Sequence, residues 1–154
     1  MRFKILDAIL GKSELPTAKL DRLFAISTAS ITMEANLGLS PEGAAGICFK
    51  PIESSRYDAA RAEIEDLLKY SAQETGTKYR IEKDEYRYLW VVLEDPDFDD
   101  LVANVHLVST TIAEHGFGEQ LLCAIYRFRG KDGPVYWIYS FKGGAYYPFA
   151  PTEG

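Results

Sequence analysis

Only two cysteines and two histidines occur in the 154 residues, and that scarcity removes several chemistries at once. Structural zinc sites draw four closely spaced Cys and His ligands from the chain, and no such spacing is present. His106 and His115 fall in one expected helix, about two and a half turns apart at 3.6 residues per turn, so they face nearly opposite sides and share no metal there. Cys48 and Cys123 each sit in an apolar, strand-like run. They could pair, but in a chain without an export signal they read as two reduced, buried thiols. Long apolar runs are also missing: Leu89 to Leu93 is far short of the roughly 20 residues that cross a bilayer, so no transmembrane segment is expected. Met1 to Leu10 carries Arg2, Lys4 and Asp7 with no small-residue cleavage site after it, which argues against a secretory signal. Nor is there an excess of base. Seventeen Lys and Arg against 23 Asp and Glu leave a net charge of −6, and with no basic patch visible the surface repels phosphate backbones. Nucleic acid is therefore not an expected partner, and the cytoplasm is the expected compartment.

What is present is the composition of a packed soluble domain, 47% hydrophobic and 26% charged. The expected organisation is a single domain, with residues 1–16 an N-terminal helix and connector and residues 17–154 an α+β body. Arg2 to Leu10 places Phe3, Leu6, Ile9 and Leu10 on one helical face, and Gly11 suits its end. Thr17 can cap a helix through Leu20, Leu23 and Phe24; in Ser27 to Leu39 the spacing of Ile31, Ala35 and Leu39 fits a helix, the expected form, while Thr28, Ile31 and Thr32 favour strand. Ser40 to Gly43 reads as a turn and Gly46 to Ile52 as a strand closed by Pro51. Tyr57, Ala60, Ile64, Leu67 and Leu68 predict an amphipathic helix from Arg56 to Ala72. Alternation predicts a hairpin of Thr77 to Lys83 with Tyr86 to Leu93. Phe98, Leu101, Val102, Val105, Val108 and Ile112 form the cleanest helical period, from Asp97 to Gly116. Strands follow at Gln120 to Arg129, Val135 to Lys142 and, after Gly143-Gly144, at Ala145 to Phe149. Consecutive hairpins imply a largely antiparallel sheet of about five to six strands with the amphipathic helices packed on it. The stretches Gly46 to Leu93 and Asp97 to Lys142 share helix, strand, strand in that order, without a residue-level repeat.

Reactive constellations are hard to assemble. Glu94, Asp95, Asp97, Asp99 and Asp100 crowd carboxylates together, yet the calcium-loop pattern with its central Gly and distal Glu is absent. Carboxylates also belong at a helix N-terminus, where they satisfy exposed N–H groups. His115 suits a helix C-terminus, and a Cys123–His115 pair would still need an oxyanion site to act as a nucleophile. Gly116-Phe117-Gly118 lacks the third glycine of a dinucleotide loop and follows a helix where phosphate cradling needs a strand. No P-loop or Gly-x-Ser-x-Gly elbow occurs. The expectation is a non-enzyme with no catalytic, cofactor or metal residues.

Several strings together resemble one family. LDAILGK at Leu6 to Lys12, LDRLFAISTASITMEANLGLSP at Leu20 to Pro41 and CFKP at Cys48 to Pro51 resemble the start of the PspA-associated protein PspAB family. GFGEQLLCAIYRF at Gly116 to Phe128 and AYYPFAP at Ala145 to Pro151 resemble its later half. The resemblance implies a small protein of the phage-shock envelope-stress system. Its implied partners are PspA, a coiled-coil membrane-remodelling protein, or other phage-shock proteins, and an HtpX-type membrane protease. It implies no catalytic residues, and it places the chain in the cytoplasm, reaching the inner face of the membrane through partners.

The first functional reading is thus an interaction module or adaptor. Its candidate contact surfaces are the N-terminal helix (Phe3, Leu6, Ile9, Leu10) and the C-terminal aromatics Tyr136, Tyr146, Tyr147 and Phe149. Most aromatic residues lie between Tyr79 and Phe149, where they build a sheet core or leave one aromatic face open. The alternative is an enzyme or small-ligand binder with a pocket between sheet and helices, using Tyr88, His106, Thr110, Thr111 and Gln120. A third reading is assembly through an exposed edge strand at Thr77 to Lys83, whose Lys78, Arg80 and Lys83 equally look like edge protection.

Overall fold

Period-two alternation divides the strand side chains into a buried set and a half-exposed set, and that division determines the architecture. The computed structural model describes residues 20, 22–50, 52 and 55–151. The expected helix at Arg2 to Leu10, its connector, and the contact residues Phe3, Leu6, Ile9 and Leu10 lie outside the described residues, as does the strand-closing Pro51. Among the described residues three α-helices, α1 (Ala25–Leu37), α2 (Ser55–Thr75) and α3 (Phe98–Ile112), accompany six strands. The strands are β1 (Ser40–Phe49), β2 (Lys78–Lys83), β3 (Leu89–Glu94), β4 (Leu121–Gly130), β5 (Gly133–Ser140) and β6 (Ala145–Phe149). They form one sheet in the order β2-β3-β1-β4-β5-β6, every neighbouring pair antiparallel. The fold is α+β, a helix-backed antiparallel sheet.

One face of the sheet carries Ala45, Ile47 and Phe49 of β1, Leu89, Val91 and Leu93 of β3, and Ala124, Tyr126 and Phe128 of β4. These join a single core cluster with Ile26 and Met33 of α1, Ile64 and Leu68 of α2, and Leu101, Val105 and Val108 of α3. Burying each such side chain contributes roughly 1.5–3 kcal/mol, which outweighs the poor intrinsic helix propensity of the β-branched residues in α3. Ring stacking reinforces the layer: Phe98 meets Tyr126 and Phe128 edge-on at 5.8 and 5.5 Å.

The crowded carboxylates have structural partners. Asp97 caps α3, its side chain accepting from the Asp100 amide at 3.1 Å. Asp95 is buried and accepts from the Thr77 hydroxyl at 2.5 Å and from the Asp97 amide at 2.8 Å. Asn104 of α3 donates to the Thr77 hydroxyl oxygen at 3.2 Å and accepts from Ser71 of α2 at 2.8 Å. This polar knot ties α2, α3 and the start of β2 together. Asp100, crowded by Asp97, Asp95 and Asp99, titrates above the ordinary aspartate range, with partial desolvation the larger cause.

Several boundaries differ from the sequence expectation, and four of them have a clear local reason. Ser40 to Gly43 opens β1 where a turn is expected. Gly43, at φ 75°, takes up a register shift between Pro41 and Ala45, and its carbonyl accepts from the Asp95 amide at 2.9 Å. The helix expected from Ser27 begins at Ala25 and ends at left-handed Gly38. β3 starts at Leu89 because Asp84 holds the preceding residues in a loop, accepting from the Tyr86 and Tyr88 amides. α3 ends at Ile112, and a π-helical turn, Ala113–Phe117, completes the stretch to Gly116.

A candidate contact surface on the helix-free face of the sheet

The second set of strand side chains points away from the three described helices, so that this face is helix-free among the described residues, and it belongs to no part of the core cluster. Register places them in rows across the strands. Gly46 lies between Val92 of β3 and Ile125 of β4; Ile125 faces Ile138 of β5, which faces Tyr147 of β6. One row over, Arg127 faces Tyr136, and Tyr136 faces Phe149. Val92, Ile125, Tyr136 and Ile138 are half-buried by one another, whereas Tyr147 and Phe149 are 51% and 53% exposed. The strip is apolar across five strands.

It holds a groove of about 270 Å³ floored by Ala44 and Gly46 and walled by Trp90, Val92, Ile125, Arg127 and Tyr136. Absence of a side chain at Gly46 creates the depression, since a Cβ there would stand 3.2 Å from Cε3 of Trp90. The indole is fixed by its own hydrogen bond, Nε1 donating to Asp84 at 2.9 Å. That bond, aided by the Tyr88 and Tyr86 amides, holds the Asp84 carboxyl below the usual aspartate range. The opposite rim is equally pinned. Glu42 accepts from Arg127 at 2.8 Å and from Arg129 at 2.6 Å, and the Arg127 guanidinium lies 6.0 Å from the Tyr136 ring centre. The Arg127 hydrogen bond draws the Glu42 carboxyl down, and the Arg127 pKa is raised in turn. One hydrogen-bonded edge and one ion-paired edge thus frame a greasy floor.

Three of the sequence candidates, Tyr136, Tyr147 and Phe149, share this face. Tyr146 does not. Period two turns it to the helix side, opposite Tyr139, where its hydroxyl donates to the Leu23 carbonyl, and burial lifts its pKa. The face also contains residues that sequence reasoning passed over, namely Gly46, Trp90, Ile125 and Arg127. Their convergence depends on strand register, to which local composition is blind. Register likewise sets Cys48 directly opposite Cys123.

The residues of the ligand-pocket reading find mostly local partners. His106 stacks on Phe24 with ring centres 4.6 Å apart, and burial lowers its pKa. Thr111 donates back to the Leu107 carbonyl, the Thr110 hydroxyl is buried without a hydrogen-bond partner, and Tyr88 projects from the β2–β3 loop. The carbonyl of Gln120 accepts from the Lys50 amide. His115 hydrogen-bonds Glu63 of α2 at 2.7 Å. Among the described residues no group of three or more His, Cys, Asp or Glu is placed to hold a metal ion, and no helix is long and apolar enough to cross a membrane. β2 is an edge strand, with Lys78, Arg80 and Glu82 on the helix-free face.

No curated protein and no solved structure matches the chain. A protein-family model does, over residues 3–154, and its description is PspA associated protein B. With essentially the whole sequence matched in one alignment, the chain belongs to the PspAB family.

Proposed function

We propose that this chain is a non-catalytic adaptor of the phage-shock system that binds PspA on the helix-free face of its sheet. Family membership supports the association with PspA. The observation that favours this face is the apolar strip itself: the helix side is filled by its own core, while the Trp90–Ile125–Tyr136 groove is left half-open. Exposed apolar area with pinned aromatic and arginine anchors is what protein interfaces are built from. A helix of a coiled coil, offering apolar residues every three or four positions, fits such a groove. The chain acts in the cytoplasm and at the inner membrane face through its partners, with an HtpX-type protease as a second partner.

Ile125→Glu tests the assignment, because it places a charge in the wall of the groove on a strand whose opposite side holds the core. Removing a hot-spot contact typically costs 2 kcal/mol or more, so affinity for purified PspA falls by at least about tenfold while the thermal midpoint is kept. Full affinity in a folded Ile125→Glu variant overturns the reading. A chain lacking residues 1–19 retains binding; its failure to bind moves the contact to the N-terminal segment. Parallel capture with the membrane protease as bait tests the second partner.

A further inference from the structure

We propose that Cys48 and Cys123 form a redox-sensitive thiol pair that a hydroperoxide oxidises to a reversible cross-strand disulfide. The two residues are Cα partners in the β1–β4 ladder. Directly opposed residues of an antiparallel pair have Cα atoms about 4.5–5.5 Å apart, inside the span of about 4.4–6.8 Å that a disulfide bridges. Both side chains project from the same face of the sheet, as their register positions require. The backbone gives way at the same point, where a register shift falls between Cys48 and Phe49. Such an irregularity bends the strand and increases its local twist.

The two thiols are unequal in a way that assigns their roles. Cys123 is partly exposed and Cys48 buried, at 5% exposure. The neighbouring thiol favours the Cys123 thiolate and, together with burial, raises the Cys48 pKa. Cys123 is therefore the attacking thiolate and Cys48 the resolving thiol, since nucleophilicity resides in the thiolate and requires access.

In the first step the Cys123 sulfur attacks the terminal peroxide oxygen. A sulfur–oxygen bond forms, the oxygen–oxygen bond breaks, and the leaving alkoxide takes a proton to become an alcohol. Cys48 then loses its proton and attacks the Cys123 sulfur. The sulfur–sulfur bond forms, the sulfur–oxygen bond breaks, and hydroxide leaves with that proton as water. Two thiols and one hydroperoxide thus give one disulfide, one alcohol and one water, with sulfur oxidised by two electrons and the peroxide reduced by two. The proposal stands apart from PspA binding.

The test treats the reduced full-length chain with hydrogen peroxide and follows titratable thiols, intact mass and tryptophan emission. Both thiols are lost together, the mass falls by two hydrogens with no covalent dimer, and dithiothreitol restores both. Trp90, opposite Cys48 on β3, reports closure as a loss of emission that Trp90→Phe abolishes. The Cys48→Ser variant stops at a Cys123 sulfenic acid that dimedone captures, and Cys123→Ser gives neither adduct nor bridge. Survival of two titratable thiols, oxygen adducts in place of the bridge, covalent dimers, or dimedone labelling centred on Cys48 overturns the proposal.

Discussion

The indole of Trp90 lies across the backbone of Gly46 on the neighbouring strand, so close that a Cβ at Gly46 would stand 3.2 Å from Cε3 and 3.4 Å from Cζ3. A side chain at this position cannot enter without moving the ring that Asp84 holds from the other end. The groove therefore exists because one strand position is vacant beside one anchored aromatic.

Gly46→Val converts that vacancy into overpacking. Forcing methyl groups against a fixed neighbour typically costs about 1–3 kcal/mol, and the midpoint of urea unfolding falls accordingly. Trp90 emission shifts to the red as the indole is lifted into water. An unchanged midpoint with unchanged emission would show that the ring is not held.

Acid weakens the same anchor in a defined direction. The folded chain keeps Asp84 ionised more readily than the unfolded chain does, chiefly through the Trp90 hydrogen bond. Its contribution is fully present above the unfolded-state value near about 4 and is lost as pH falls through the lower folded value. Glu42, lowered first by the Arg127 hydrogen bond, behaves in the same sense. Stability measured by urea unfolding therefore declines below pH ~4, and Asp84→Asn flattens part of that decline. A steeper decline in the variant would contradict the assignment.

Thr77→Val tests the buried polar knot. The substitution keeps the shape but removes the hydroxyl that donates to Asp95 and accepts from Asn104. Leaving buried polar groups without partners costs about 1–3 kcal/mol, and more for a charged one. The loss is read from chemical denaturation. Stability equal to the parent would mean that water replaces the hydroxyl at no cost.

What was legible in the sequence followed the strength of local periodicity. α3 reads directly because Leu101, Val102, Val105, Val108 and Ile112 repeat at helical spacing and all face the core. The β2 pattern, with Tyr79 and Ile81 inward and Lys78, Arg80 and Glu82 outward, is equally transparent. Ser40 to Gly43 misled because Pro and Gly mark turns locally, while the partner strands that turn this segment into sheet are far away in the chain. Tyr136, Tyr146 and Tyr147 are all aromatic, yet adjacent strand residues take opposite faces, which separates Tyr146 from the other two. Juxtapositions across strands, Trp90 over Gly46 and Cys48 against Cys123, depend on register between distant segments and leave no local pattern to read.

Hydroxyl-radical footprinting of the chain alone and with PspA addresses the contact surface most directly, because aromatic side chains report their own exposure. On PspA binding Trp90, Tyr136, Tyr147 and Phe149 are expected to lose reactivity, while the exposed Tyr70 of α2 and Tyr86 of the β2–β3 loop keep theirs. Protection confined to the helices, or binding that leaves all four residues reactive, would contradict the proposed contact surface.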